Sequence, residues 1–260
     1  MNEIVSDLAA EHDVLDAIVS SIADDAWCTR TPSEGWDVTD QIGHLTFFDQ
    51  RATMAIVDRE AFAADLANAA TDIEAYMEGH LATARSSPPD RLISLWRSAR
   101  ADLLAALAPL EPRTRLPWYG PDMSARSFAT ARLMETWAHG QDVADALGAY
   151  REPTDRLAHI ALLGVRTMGW SFTVNGFETP VESVHVDLAG PSGVRWTWHD
   201  DTSRNVVRGD AEEFCLVVTQ RRHLQDTRLE VTGEVAEQWM HIAQAFAGPP
   251  GPGRTPGMFD

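Results

Sequence analysis

GWDVTDQIGHL, residues 35–45, settles how the first half of the chain is built. Gly35 closes a turn-forming stretch that begins at Cys28. Asp37 or Thr39 can then cap a helix whose apolar residues Ile42 and Leu45 flank a histidine, His44. Phe47 and Phe48 follow at once, so this helix turns an apolar face inward and His44 with it.

The neighbouring segments have the same helical character. Ile4, Leu8, Leu15, Ile18 and Ile22 fall at helical spacing and predict a first helix over residues 3–23. The helix begun at 38 is expected to run to about 59, and an Ala-rich helical stretch follows to about 84. SSPPD at 86–90 breaks the chain before Leu92, Leu95, Trp96, Ala99, Leu103 and Leu107 mark another amphipathic helix. The connector EPRTRLPWYGPDM, 111–123, has too many prolines for a long regular element. A fifth helix is expected from near Ser127 to Leu147, with Gly148 as its C-cap, and a further one over 154–173.

Beyond it the period changes from 3.6 to 2. VHVDLAG (184–190), VRWTWHD (194–200) and a stretch near Val206 read as antiparallel strands, with GPSG as the turn between the first two. Asp210 caps a helix to about Gln220, RLEVTG is strand-like, and 235–246 is helical. The class is therefore α+β: a helical bundle over 1–176, then a small α/β domain of antiparallel strands plus helices over 177–260, ending in a Pro/Gly tail.

Composition narrows the function. A formal charge of −18, from 39 acidic against 21 basic side chains, repels phosphate backbones and anionic membranes, so nucleic acid and membrane are not expected partners. Cys28 and Cys215 stand far apart without CxxC spacing, which points to reduced thiols and away from a disulfide framework. With neither a signal-peptide pattern nor a spanning apolar run, the expected location is cytoplasmic.

ETWAHGQDVADAL, 135–147, carries the chemistry. Glu135 and His139 lie four apart, on one helix face and about one turn from each other, so one helix can offer two ligands to one ion. The same spacing also describes an ordinary surface pair. Here the flanking Trp137, Ala138, Val143, Ala144 and Leu147 bury the helix, and a buried carboxylate calls for a cation or strong donors. Asp142 shares nearly the same face and is the candidate catalytic residue, as acceptor for a ligand imidazole or as general base; it could equally cap an arginine. Gln141 and Asp145 point further round. His12 could face the bundle interior near the site or be a core histidine, and the same choice applies to His80, His159 and His185. Trp118, Tyr119, Arg166, Trp170 and Arg221 or Arg222 are candidates for pocket walls and anion contacts, with packing and ion-pair roles as the alternative.

GWDVTDQIGHL, the distal ETWAHGQDVADAL and the strand-rich C-terminal part together resemble the DinB superfamily of metal-binding four-helix bundles, in the branch with mycothiol-dependent maleylpyruvate isomerase. GVRTMGW (164–170), FCLVVTQRRH (214–223) and AQAFAGPPGPGR (243–254) are similar to an actinobacterial subgroup of metal-binding proteins. The resemblance spans most of the chain and implies a single divalent ion, zinc first and nickel, iron or manganese as alternatives, held by His44, Glu135 and His139. It also implies mycothiol as cosubstrate, an electrophilic small molecule as its partner, and a homodimer. Three protein ligands leave a fourth position open, where a thiol or a water could be activated. A thiol gives a transferase or isomerase and water gives a hydrolase or lyase. A non-catalytic metal-binding protein is the third reading. The thiol enzyme is the first expectation, with Arg166, Trp170 and Arg222 as candidate cosubstrate contacts.

Overall fold

The computed structural model describes residues 1–259 and divides into two compact units, Met1–Arg151 and Glu152–Asp260.

In the first unit α1 spans Asn2–Val19, α2 Val38–Val57, α3 Arg59–Ala69, α4 Ile73–Arg85, α5 Pro89–Leu107 and α6 Ala125–Leu147. Local chemistry sets most of these ends. Asp37 caps α2 by accepting from the Asp40 amide, while the Asp40 side chain accepts from the Asp37 amide, a reciprocal capping box. Pro89 stands in the first turn of α5, where its missing N–H costs nothing. Gly148 ends α6 with φ 61°, a left-handed conformation that penalises any residue with a Cβ.

The Ala-rich stretch expected as one helix is two. Asp72 accepts from the Ala75 amide and starts α4 afresh, just as Asp58 does for α3 through the Ala61 amide. The irregular connector contains a minimal antiparallel ladder, β1 (Arg115–Leu116) on β2 (Met123–Ser124).

Leu15 and Val19 of α1, Val38, Ile42 and Leu45 of α2, Leu92 and Trp96 of α5 and Val143 of α6 form one buried cluster, joined by Trp27. Each large side chain so buried contributes roughly 1.5–3 kcal/mol of transfer free energy. This packing holds α2 against α4, α5 and α6, and α1 against α5 and α6.

The second unit holds α7 (Leu157–Arg166), α8 (Met168–Val174), β3 (Val184–Ala189), β4 (Arg195–Trp198), β5 (Asn205–Asp210), α9 (Ala211–Val218), β6 (Glu230–Thr232) and α10 (Glu234–Ile242). The expected helix over 154–173 breaks at Thr167 into α7 and α8. Both were assigned from the sequence to the bundle, with the division at 176–177. In the structure α7 packs on α9 and α8 on α10, so the division falls after Arg151. The change of period marks where strands begin, not where packing changes partner.

The sheet order is β4-β3-β5-β6, and it is mixed where antiparallel strands alone were expected: β3 pairs antiparallel with β4, parallel with β5, and β5 pairs antiparallel with β6. The geometry leaves little choice. The hairpin places β4 on one edge of β3, and a chain reversed once more runs in β3's own direction, so on the remaining edge it must be parallel. Among the described residues no helix is long and apolar enough to cross a membrane.

Candidate metal centre

His44, Glu135 and His139 converge. One ligand atom from each lies within 4.8 Å of the others, and all three residues are partly buried. Glu135 Oε2 is 3.1 Å from His139 Nε2 and 4.0 Å from His44 Nε2. The two imidazoles come from α2 and α6, whose packing brings their ring centroids to 4.4 Å.

The opposite edges of both rings are held. His139 lies between two oxygens, its Nδ1 2.5 Å from Gln41 Oε1 and its Nε2 3.1 Å from Glu135 Oε2; with an ion at Nε2, the ring proton would sit on Nδ1 and be donated to Gln41. Gln41 is fixed in turn, its amide donating to Thr31 Oγ1 at 2.9 Å, and the Thr31 hydroxyl donates to the Trp36 carbonyl at 3.1 Å. His44 Nδ1 is 3.2 Å from His80 Nε2. Two imidazoles and one carboxylate aimed together, with a polar partner behind each ring, fit a borderline divalent ion and leave coordination positions open.

Aromatic side chains wall the cluster. Trp36 stacks on His139 with centroids 5.9 Å apart and lies 5.2 Å from His44, while Phe48 sits 4.6 Å from His44. Trp118 and Tyr119, picked out in the connector, reach Phe48 at 6.2 and 5.9 Å. Tyr119 and Tyr76 both donate to Asp65 Oδ2, and Arg51 pairs with Asp65 at 3.0 Å, so that wall is tied down. Burial and the neighbouring carboxylate push the Tyr119 phenol well above its ordinary range and keep it protonated. A cavity of about 460 Å³ lies on the α2–α4–α5 side of the unit. His80, Thr46, Phe47, Arg51 and Tyr76 help to line it, and the three ligand residues do not.

The other sequence candidates fall elsewhere. Asp142 is wholly buried and accepts from the Ser33 hydroxyl at 3.0 Å, which ties α6 to the loop carrying Trp36. The acceptor beside His139 Nδ1 is Gln41. Gln141 donates to Asp145 at 2.8 Å. His12 is a core histidine, edge-on to Trp96 at 6.1 Å and 3.8 Å from Asp49 Oδ2. Arg166, Trp170 and Arg222 belong to the second unit, as do His159, His185 and Arg221. Arg166 is exposed at the end of α7, Trp170 donates its indole N–H to the Phe246 carbonyl at 3.2 Å, and the Arg222 guanidinium lies 3.6 Å from the Phe259 ring centre.

Gln41 and Trp36 are not singled out in the sequence, and His80 is read there only as a histidine that could face the site or be a core one. Gln41 stands three residues before His44 on the same helix, so a helical wheel draws attention to it; Trp36 lies before the Asp37 cap, off the helix, where a wheel says nothing. His80 comes from a different helix, with no local signal.

The family model "Mycothiol maleylpyruvate isomerase N-terminal domain" matches residues 8–144. A protein of Mycobacterium tuberculosis, described as an uncharacterized protein in each of two strains, is 46% identical over 250 residues, 96% of this chain and 97% of its own. Among solved structures, the mycothiol-dependent maleylpyruvate isomerase superposes with a TM-score of 0.55 at 16% identity, over 85% of this chain and 89% of that one. A mutant of that enzyme gives 0.56 at 17% with the same coverage. The likeness to these two is one of α+β fold.

Proposed function

Because the chain belongs to the mycothiol maleylpyruvate isomerase N-terminal domain family, we propose that it is an enzyme in which a divalent ion held by His44, Glu135 and His139 activates a low-molecular-weight thiol, mycothiol or a close chemical relative, for transfer to, or isomerisation of, an electrophilic small molecule. The observation that carries this reading is the convergence of His44 Nε2, Glu135 Oε2 and His139 Nε2, with Gln41 and His80 behind the two rings. Zinc is the first choice for this donor set, and nickel, iron and manganese also suit it.

When bound, such an ion supplies positive charge that stabilises a thiolate at neutral pH. The chain does the rest. Gln41 Oε1 lies behind His139 Nδ1 and would hold that ring with its Nε2 toward the ion. Trp36 and Phe48 pack against the rings and wall the site with apolar surface. The partly buried Ser33–Asp142 hydrogen bond steadies the loop that presents Trp36.

The test uses the full chain loaded with cobalt(II) and titrated with mycothiol. We expect one ion per chain, a sulfur-to-metal charge-transfer band on adding the thiol, and an affinity for the ion more than about a hundredfold weaker in Glu135→Gln, a loss larger than removing a supporting hydrogen bond causes. A wild-type chain that retains no ion, or a cobalt spectrum indifferent to thiol, would overturn the reading.

A further inference from the structure

His80 stands out once the three ligand residues are set aside. It sits on α4, is only 6% exposed, and its Nε2 is 3.2 Å from His44 Nδ1. Two imidazoles share one hydrogen bond in only one sense at a time. If His44 Nε2 serves the ion it has no proton, so Nδ1 carries it and donates, and His80 Nε2 must accept.

The approach of α4 that makes this contact is written beside the ligand itself. A Cβ placed on Gly43 would come within 2.3 Å of the Ala84 Cβ, so only glycine lets α4 lie against α2 at this level. One turn before Ala84, on the same face of α4, is His80. Gly43 and His44 thus form a unit: the first admits the helix, and the second receives the side chain that helix delivers.

We propose that His80 is a positioning residue of the metal centre, holding His44 in its Nδ1–H tautomer and fixing the aim of Nε2. The inference rests on the functional reading above. The choice of imidazole as acceptor has a chemical consequence. Metal-ligating histidines commonly donate to a carboxylate or a backbone carbonyl. A neutral imidazole orients the ligand without bringing a second negative charge, so Glu135 remains the one carboxylate among the ligands and a divalent ion there keeps net positive charge toward a thiol.

The experiment compares wild type with His80→Leu, His80→Gln and His80→Asn as full-length proteins. Zinc affinity is measured by chelator competition, the cobalt(II) visible spectrum is recorded, and the metal-free proteins are melted. Gln reaches the place of Nε2 and keeps an acceptor there; Asn is too short, and Leu has none. The expected result is affinity about 10- to 100-fold weaker with a changed cobalt spectrum in His80→Leu and His80→Asn, and recovery to within a few-fold of wild type in His80→Gln. Wild-type affinity and spectrum in His80→Leu would overturn the proposal, as would a His80→Gln no better than His80→Asn. Should His80→Leu not fold, the Gln and Asn pair decides alone. Loss confined to these variants leaves the metal reading intact, whereas a wild type that binds no ion sinks both.

Discussion

The bundle carries two clusters of histidine and carboxylate along α2 and α6, and they differ in what faces the acid. In one, His44 of α2 and His139 of α6 face Glu135. In the other, Asp49 of α2 accepts from Arg132 of α6 at 2.9 and 3.1 Å, with His12 of α1 beside it. The clusters are close enough that the charge of Glu135 acts on Asp49. What separates them is the cation. Asp49 faces a guanidinium, which neutralises it and would repel a metal ion. Glu135 faces imidazole nitrogens whose lone pairs a metal ion could share. Charge also decides the state of the histidines. Burial first, and then the charges of Arg100 and Arg132, bring the His12 pKa down to about 3, so it is a neutral packing ring. Histidine near an acid is therefore a weak marker of a site, and the group that faces the carboxylate is the stronger one.

The sharpest way to break this contrast is Arg132→Met. Removing the guanidinium strands a fully buried carboxylate, a change that costs about 3–5 kcal/mol when one partner of a buried pair is lost. Urea denaturation should show that loss while each folded molecule still takes up one ion. Loss of the ion with stability unchanged would mean that the two clusters are one functional unit.

Acid gives the next test. His12 takes up its proton near pH 6.5 when unfolded but only near pH 3 when folded. The unfolded chain therefore binds more protons through that window. The contribution of His12 is complete above pH 6.5 and is lost as the pH falls toward 3, by roughly 1.4 kcal/mol per pH unit. Burial raises the Asp49 pKa and gives the opposite sign, stabilising as pH falls, so it offsets part of the slope. In chelator, to keep ligand protonation out of metal binding, wild type should lose about 2 kcal/mol more than His12→Leu between pH 7 and pH 4.5. Equal slopes would show that His12 is not a buried neutral ring.

Much of this could be read from residues in order. The capping signal at Asp37, the apolar stripes of α1, α2 and α5, and the Gly148 stop are local, and the structure has them. The spacing of Glu135 and His139 could be read for the same reason, because one helix carries both. Long-range pairing could not. No local pattern says that β5 takes the free edge of β3 and so runs parallel to it, or that α7 and α8 pack on helices of the second unit. Nor does it say that α4 places His80 behind His44. For Asp142 the helix face could be read; what a wheel cannot show is that Ser33 reaches its carboxylate while Gln41, from α2, reaches the imidazole.

Gln41 offers the finest test, because it lies on the line between the two kinds of cluster. It is fully buried, its amide oxygen accepts from His139 Nδ1, and its amide nitrogen donates to Thr31. Gln41→Leu keeps the packing volume and removes the acceptor, so His139 can turn or change tautomer, and zinc affinity should fall about tenfold, the low end for loss of a group that supports a metal ligand. Gln41→Glu restores an acceptor and charges it. A charge-assisted bond to Nδ1–H is stronger and makes the ligand nitrogen more basic, so affinity should recover to wild type or beyond. If Gln41→Leu bound zinc as wild type does, orientation from behind the ring would count for nothing. The difference between the two clusters would then come down to the guanidinium of Arg132 alone.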